Sequence, residues 1–331
     1  MADQRFEIGF ESASQFRADY VSMASRFDGL QPIMRAFIRN MNRVRGIGMF
    51  PIKVIALSIL NEAARVEALA NKKVPFHDPR IIRGDAKFDE GLWTEVDSER
   101  KRLILEWQSS DPDFRRQVAG MGISGLNDIL NSTLEENWDA VQATMAAMLM
   151  GLWTAFESFM QDTWIVVVNA RPIPLAQRVV EPSANLETGM QMKQLSMKEI
   201  VNKGFDLRGA MGTLLLRQKA VDFQQFKTIR AAYKVAFADE LESAFEPYAV
   251  DLSLLEAVRN LFAHKGGVID EKFLNRARKR PEFSGAKVGD IIGIGGATVA
   301  KNANTVADCA TAMIKALDKW LVDNPSNVES P

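Results

Sequence analysis

At 331 residues the chain is long enough to bury a large core, as one extended domain or two. Its 41 Lys and Arg against 42 Asp and Glu give a formal net charge of -1, which excludes a global attraction to polyanions, so any nucleic-acid binding must come from a local patch. The single cysteine, Cys309, excludes an intramolecular disulfide framework and fits a reducing cytosol.

Zinc needs clustered His and Cys ligands, and two histidines and one cysteine far apart do not supply them. Carboxylates are plentiful enough for a magnesium ion, but no spacing singles out a site. The expectation is therefore no metal and no cofactor. Residues 1–7 lack the basic start and apolar run of a signal peptide. The nearest approach to a membrane span, Ala143 to Phe156, stops at Glu157 after roughly fourteen residues, short of the eighteen or so required. No membrane partner and a cytoplasmic location are expected.

Apolar residues at spacings of three and four predict helices over Ser12 to Phe27, about Leu30 to Val44, and Ile52 to Asn71, with Gly46, Gly48 and Pro51 as punctuation. Arg35, Arg39, Arg43 and Arg45, with Asn40 and Asn42, form a basic ridge that reads as a solvated face or as a contact for an RNA backbone. From Lys72 to Gly91 prolines and charges predict a long loop containing His77-Asp78, a pair with no nucleophile or second ligand beside it. Leu92 to Gln108 is a helix, the Asp111-Pro112-Asp113 turn follows, and Gly120, Gly122 and Gly125 predict short helical pieces.

The capping box Ser132-Thr133-Leu134-Glu135 then opens the longest predicted helix, to about Val168. Around Met145 to Trp153 it is apolar all round and must be enclosed on every side, while Thr154, Glu157, Ser158 and Gln161 make a polar stripe. Prolines over residues 171–195 predict a long connection, and Ser196 to Glu199 another helix start. Phe226 to Phe237 carries an apolar stripe of Phe226, Ile229, Tyr233 and Phe237, expected to pack on the helix that follows. After that helix, a short helix starting from Val268-Ile269 runs into Arg276, Arg278, Lys279 and Arg280. These cations either suit a helix C-terminus or contact RNA phosphates. Gly293 to Thr298 lacks the βαβ unit and the Gly-Lys-Ser/Thr ending of a phosphate loop and reads as a turn after a short hairpin-like segment. A closing helix spans about Val299 to Val322, and the tail is expected to be disordered.

The stretch that carries chemistry is Leu254 to Gly267. On a helical wheel with Arg259 at zero, Leu254, Leu255, Val258, Leu261 and Phe262 fall at roughly 200° to 320°, and Ser253, Glu256, Arg259, Asn260 and His264 at about 0° to 140°. Asp251 is the predicted N-cap, and Gly266-Gly267 supply the left-handed end. His264 then sits in the last turn, where the negative end of the helix dipole favours the imidazolium.

Arg259 and His264 at this spacing, with Asn260 between them, resemble the Arg-x4-His signature of the HEPN superfamily. The flanking segments Phe205 to Gly209, Gly212 to Leu215, Ile229 to Tyr233 and Gly267 to Phe273 are similar to the order in bacterial HEPN proteins. The resemblance implies an all-α fold, with a HEPN-like bundle over residues 131–323, an additional helical N-terminal region of unknown role over 1–130, and a disordered tail over 324–331. It also implies an acidic residue on the long helix facing the motif. Glu157 takes that role, with Asp162 close enough to compete.

The implied activity is metal-independent cleavage of RNA by its own 2′-hydroxyl. His264 would transfer the proton, Arg259 would bind the phosphate oxygens, and Asn260 would orient either the imidazole or the phosphate. The family also implies a homodimer in which two motifs complete one site, and effectors of toxin–antitoxin or antiviral defence systems restrained by an antitoxin or regulator. Two other classes stay open: a non-catalytic module binding RNA, a nucleotide or a protein partner, and a helical scaffold in which Arg259 and Asn260 only brace a dimer.

Overall fold

A computed structural model describes residues 25–180, 207–217, 221–278 and 280–325, together with Val201. The helix expected from Ser12, the start at Ser196, Lys279 and most of the tail fall outside the described residues. The order of helices is α1 (Gln31–Asn71), α2 (Glu90–Ser110), α3 (Phe114–Ala170), α4 (Pro172–Val180), α5 (Met211–Arg217), α6 (Phe226–Phe237), α7 (Glu242–Phe245), α8 (Ala249–Lys265), α9 (Glu271–Ala277) and α10 (Gly296–Asp323). The fold is all-α. Among the described residues the only extended pairing is an antiparallel bridge between Val268 and Ile291.

Two compact units emerge, Met1–Arg45 with Gln142–Pro331, and Gly46–Val141. They do not follow the division expected at residue 130. The chain enters and leaves the smaller unit inside α1 and α3, so no loop or change of composition marks either boundary.

In Gly46–Val141, Ala64, Ala68, Leu69, Val74, Ile81, Val96 and Leu103 form a buried cluster, with Trp93 and Trp107 packed against it. Asp89 caps α2 by accepting the Leu92 N–H at 3.0 Å. Two predicted interruptions are absent. Helix α1 runs through Gly46, Gly48 and Pro51, and its buried positions Met34, Phe37, Met41, Val44, Ile52, Ala56 and Leu60 keep one stripe across them. Proline forgoes one backbone bond and costs about 3 kcal/mol in a helix interior, and burial on both sides of it offsets that.

Helix α3 likewise runs through Gly120, Gly122, Gly125 and the Ser132 capping box. A Cβ at Gly122 would lie 2.4 Å from the Ile52 carbonyl oxygen and 2.7 Å from Ala56 Cβ, so that glycine admits a neighbouring helix and makes no turn. Because α1 is continuous, an 18-residue window within Asp28–Asn71, and not Ala143 to Phe156, is long and apolar enough to cross a membrane. Its mean hydropathy is 1.5, and 28% of it is buried.

In the larger unit the second half of α3 is enclosed as its composition demands, with Met145, Met148, Leu152, Trp153, Phe156, Met160 and Trp164 all fully buried. Helix α6 lies against it. The Trp164 indole N–H donates to the Ala232 carbonyl at 3.1 Å, and the Tyr233 hydroxyl donates to the Met160 carbonyl at 2.8 Å while lying 2.7 Å from Thr163 Oγ1. Residues 172–180, expected in a connection, are helical with Leu175, Ala176 and Val179 buried, because Pro172 at the first helical position has no N–H to lose.

The turn before α10 is fastened by Gln142 of α3. Its side chain accepts the Ile294 N–H at 2.6 Å and donates to the Ile294 carbonyl at 3.1 Å. Gly293 to Gly295 is thus a turn with a structural partner, and Gly296 already opens α10, three residues before the expected Val299.

Candidate active site

Helix α8 packs on α6, α9 and α10. Leu255, Val258 and Leu261 are buried, as the wheel requires, Leu254 and Phe262 of the same arc are half-buried, and Leu252, on the polar arc, is buried as well. The helix starts at Ala249, two residues before the expected cap. It ends at Gly266, whose φ of 59° is left-handed and whose N–H donates to the Leu261 carbonyl. His264 and Lys265 therefore occupy the last turn, both exposed.

Arg259 and Asn260 are partly buried. The Arg259 Nη1 donates to Asn260 Oδ1 at 2.8 Å, so Asn260 fixes the guanidinium and not the imidazole. His264 makes no hydrogen bond among the described residues. Arg259, Asn260 and His264 line one cleft of about 350 Å³, joined by Lys265, Lys272 and Arg276. Lys272 reaches this wall because Asp270 caps α9, accepting the Phe273 N–H at 2.8 Å. That cap starts α9 three residues later than Val268. The segment before it pairs instead with residues 289–292, through Ile269 N–H to Asp290 O at 2.8 Å and Ile292 N–H to Gly267 O at 2.9 Å.

Beside this cleft a second cavity of about 500 Å³ is lined by Glu157, Gln161, Asp222 and Gln224, over an apolar wall of Leu216, Val221 and Phe223. Gln224 borders both. Glu157 is half-buried, and burial pushes its carboxyl above the usual range. The positive charge of Arg259 pulls it back, as does the indole of Trp153, and Asp222 pushes it further up. Trp153 Nε1 itself is buried and close to Glu157, but among the described residues no acceptor lies in full hydrogen-bond geometry to it. Asp162 is also raised, by desolvation alone, with no influence from Arg259. Of the two carboxylates considered for facing the motif, Glu157 is the one that feels its charge.

The cations after α8 do not act as one cluster. Arg276 donates to Glu256 at 3.2 Å and still borders the cleft. Arg280 is paired with Asp251, which also meets Lys301 at 3.4 Å. Arg278 is exposed, and Lys279 lies outside the described residues.

Glu256 departs most from the wheel. Placed there on the polar arc, it is only 3% exposed, accepting the Phe226 N–H at 2.9 Å besides the Arg276 bond. A carboxylate at the first N–H of α6 and beside a guanidinium has its charge met on both oxygens. It is a brace between three helices.

The other histidine, His77, is exposed, and its ring stands edge-on to Phe76 with centroids 4.9 Å apart. Its neighbour Asp78 is taken up by Arg80, whose side-chain hydrogen bonds hold that carboxyl well below the ordinary range. Among the described residues no three His, Cys, Asp or Glu are grouped to hold a metal ion.

No family model, curated protein or solved structure matches this chain.

The sequence reading missed Lys265, Lys272, Asp222 and Gln224. Lys265 had a signal, its place beside His264. The other three come from segments that only the packing of α6 and α9 brings to α8.

Proposed function

We propose that the protein is a metal-independent endoribonuclease of HEPN type. The observation that carries this is the convergence of Arg259, Asn260 and His264 on one cleft with Lys265 and Lys272, none of the three cations among them having a carboxylate within ion-pair distance among the described residues. Cations that folding leaves without an ion pair on a concave surface suit a phosphodiester, even with Asp270 at the cleft's edge.

RNA supplies its own nucleophile. His264 accepts the 2′-hydroxyl proton, the 2′-oxygen bonds to the adjacent phosphorus, and the bond from phosphorus to the 5′-oxygen breaks. Arg259, held by Asn260, stabilises the charge on the non-bridging oxygens as the phosphorane forms. The departing 5′-oxygen takes a proton from the corresponding imidazole of a second copy, so the working unit is a homodimer. The products are a 2′,3′-cyclic phosphate and a 5′-hydroxyl. Such an enzyme would need restraint in its host by an antitoxin or regulator.

One observation favours a second reading, a non-catalytic module that binds RNA or a nucleotide in the same cleft. Among the described residues His264 has no hydrogen-bonding neighbour to set its tautomer, as an efficient base would. Cleavage of labelled RNA in EDTA by wild type and His264→Ala, both shown folded and dimeric, separates the two. Loss of cleavage with retained RNA affinity in the variant supports the nuclease. Binding without cleavage by wild type supports the module, and a monomer at micromolar concentration removes the composite site.

A further inference from the structure

We propose that the cavity beside the motif cleft is a nucleobase subsite that selects guanine. The proposal rests on the cleft being a phosphate site, as the endoribonuclease reading has it. The two cavities share Gln224, so a nucleotide with its 3′-phosphate among Arg259, Lys265 and Lys272 has its base directed toward Glu157, Gln161 and Asp222.

The lining chemistry distinguishes the bases. Two carboxylates accept hydrogen bonds only, and two glutamine amides can donate as well as accept. Asp222 Oδ1 accepts the Gln224 backbone N–H at 3.0 Å, which leaves its second oxygen for a ligand. Glu157 has no ion pair among the described residues. Behind it the fully buried Trp153 Nε1–H is near enough to draw the Glu157 carboxyl down, yet among the described residues it is out of line for a full hydrogen bond, which a ligand that shifts the carboxylate would complete.

Guanine alone among the four bases presents two adjacent donors, N1–H and N2–H, on its Watson–Crick edge, beside an acceptor, O6. Glu157 takes N1–H, the free oxygen of Asp222 takes N2–H, and a glutamine amide gives to O6. Adenine and cytosine present one amine beside an acceptor, and uracil one N–H between two acceptors, so each would set a lone pair against a carboxylate. Phe223 and Val221 supply the apolar wall for the ring.

The test is calorimetric binding of guanosine 3′-monophosphate and inosine 3′-monophosphate, which lacks the 2-amine, alongside the adenosine, cytidine and uridine 3′-monophosphates. Wild type should prefer the guanosine over the inosine compound by about tenfold, the worth of one hydrogen bond to a carboxylate. Asp222→Asn keeps an oxygen for the Gln224 N–H while losing the charge, and should bring the two within about twofold. Equal wild-type affinities overturn the subsite, as does an unchanged ratio in Asp222→Asn.

Mapping the cleaved bonds in a mixed-sequence RNA keeps the two proposals apart. Cleavage without guanine selectivity in binding leaves the nuclease and removes the subsite. Guanine-selective binding without cleavage leaves the subsite and removes the nuclease.

Discussion

On α2 nearly every cation meets a carboxylate one turn away: Arg100 and Lys101 both reach Asp97 at 2.7 Å, and Arg102 reaches Glu99 at 2.8 Å and Glu106 at 2.7 Å. The cleft end of α8 is built the other way, with Arg259, His264 and Lys265 facing Lys272 and no carboxylate at ion-pair distance among the described residues. The glycines divide similarly. Gly122 lies inside a helix and admits a neighbour, whereas Gly266 is left-handed and ends one. Pairs at helical spacing account for themselves locally and contribute a few tenths of a kcal/mol each. Cations without ion pairs on a concave surface contribute little to the fold, so their use lies outside it.

The largest expected effect breaks or upholds that contrast directly. His264→Ala should lower RNA cleavage in EDTA by at least about 100-fold, the usual contribution of a positioned general base or acid. Its far-ultraviolet circular dichroism and melting temperature should be unchanged, because the side chain is exposed and bonded to nothing in the described fold. An equally active variant would remove His264 from the chemistry.

Within α8 itself one carboxylate belongs to the paired class. Glu256→Ala leaves the buried Phe226 N–H and the Arg276 guanidinium without their acceptor, and should cost about 2 kcal/mol in urea unfolding. Glu106→Ala on α2 should leave the urea midpoint unchanged, since its pair with Arg102 is solvent-exposed on both sides. Equal losses in the two variants would erase the distinction between brace and surface pair.

The glycine contrast gives smaller effects of opposite sign. Gly122→Ala puts a methyl against the Ile52 carbonyl and Ala56, which should cost about 1–2 kcal/mol as the helices part. Gly120→Ala, two residues earlier with nothing within 4 Å of its Cβ, should gain about 0.5–1 kcal/mol from helix propensity. Urea midpoints of the two variants measure both, and a gain at Gly122 would show that α1 and α3 are not in close contact there.

That pair of glycines also explains what the sequence could and could not convey. A glycine in a helical pattern reads the same whether it turns the chain or lets another helix approach, and only the neighbour decides. Hence sequence alone predicts α1 and α3 in pieces, and a unit entered through helix interiors carries no boundary signal. Where the signals are local the reading was close: α6 runs over the expected Phe226–Phe237, α8 ends at Gly266, and the apolar middle of α3 is enclosed.

For the site, Arg259, Asn260 and His264 share a face because helical spacing alone places them there. Lys272, Asp222 and Gln224 join them through tertiary packing, which periodicity does not encode. Glu256 misled for a related reason. A wheel gives the angle of a side chain but not what stands opposite, and opposite Glu256 stand an N–H of α6 and a guanidinium of α9.

The smallest expected effect concerns Glu157, a carboxylate near cations that nonetheless costs the fold something. Burial raises its folded-state value above the ordinary 4.5, and Arg259 only partly offsets this. Between the two values the folded protein binds more protons than the unfolded chain, so wild-type stability falls as pH rises from about 4.5 through the raised value. Glu157→Gln removes that titration. Its urea midpoint should match wild type near pH 4 and then exceed it by a margin that grows with pH and levels off once the folded carboxyl is ionised. The same variant should lose RNA cleavage, because the charge that steadies Arg259 is gone. Stability gained at neutral pH together with activity lost is the mark of a residue kept for its site and not for the fold. A variant less stable than wild type at pH 7 would mean that attraction to Arg259 outweighs desolvation, and would move Glu157 into the paired class with Glu256.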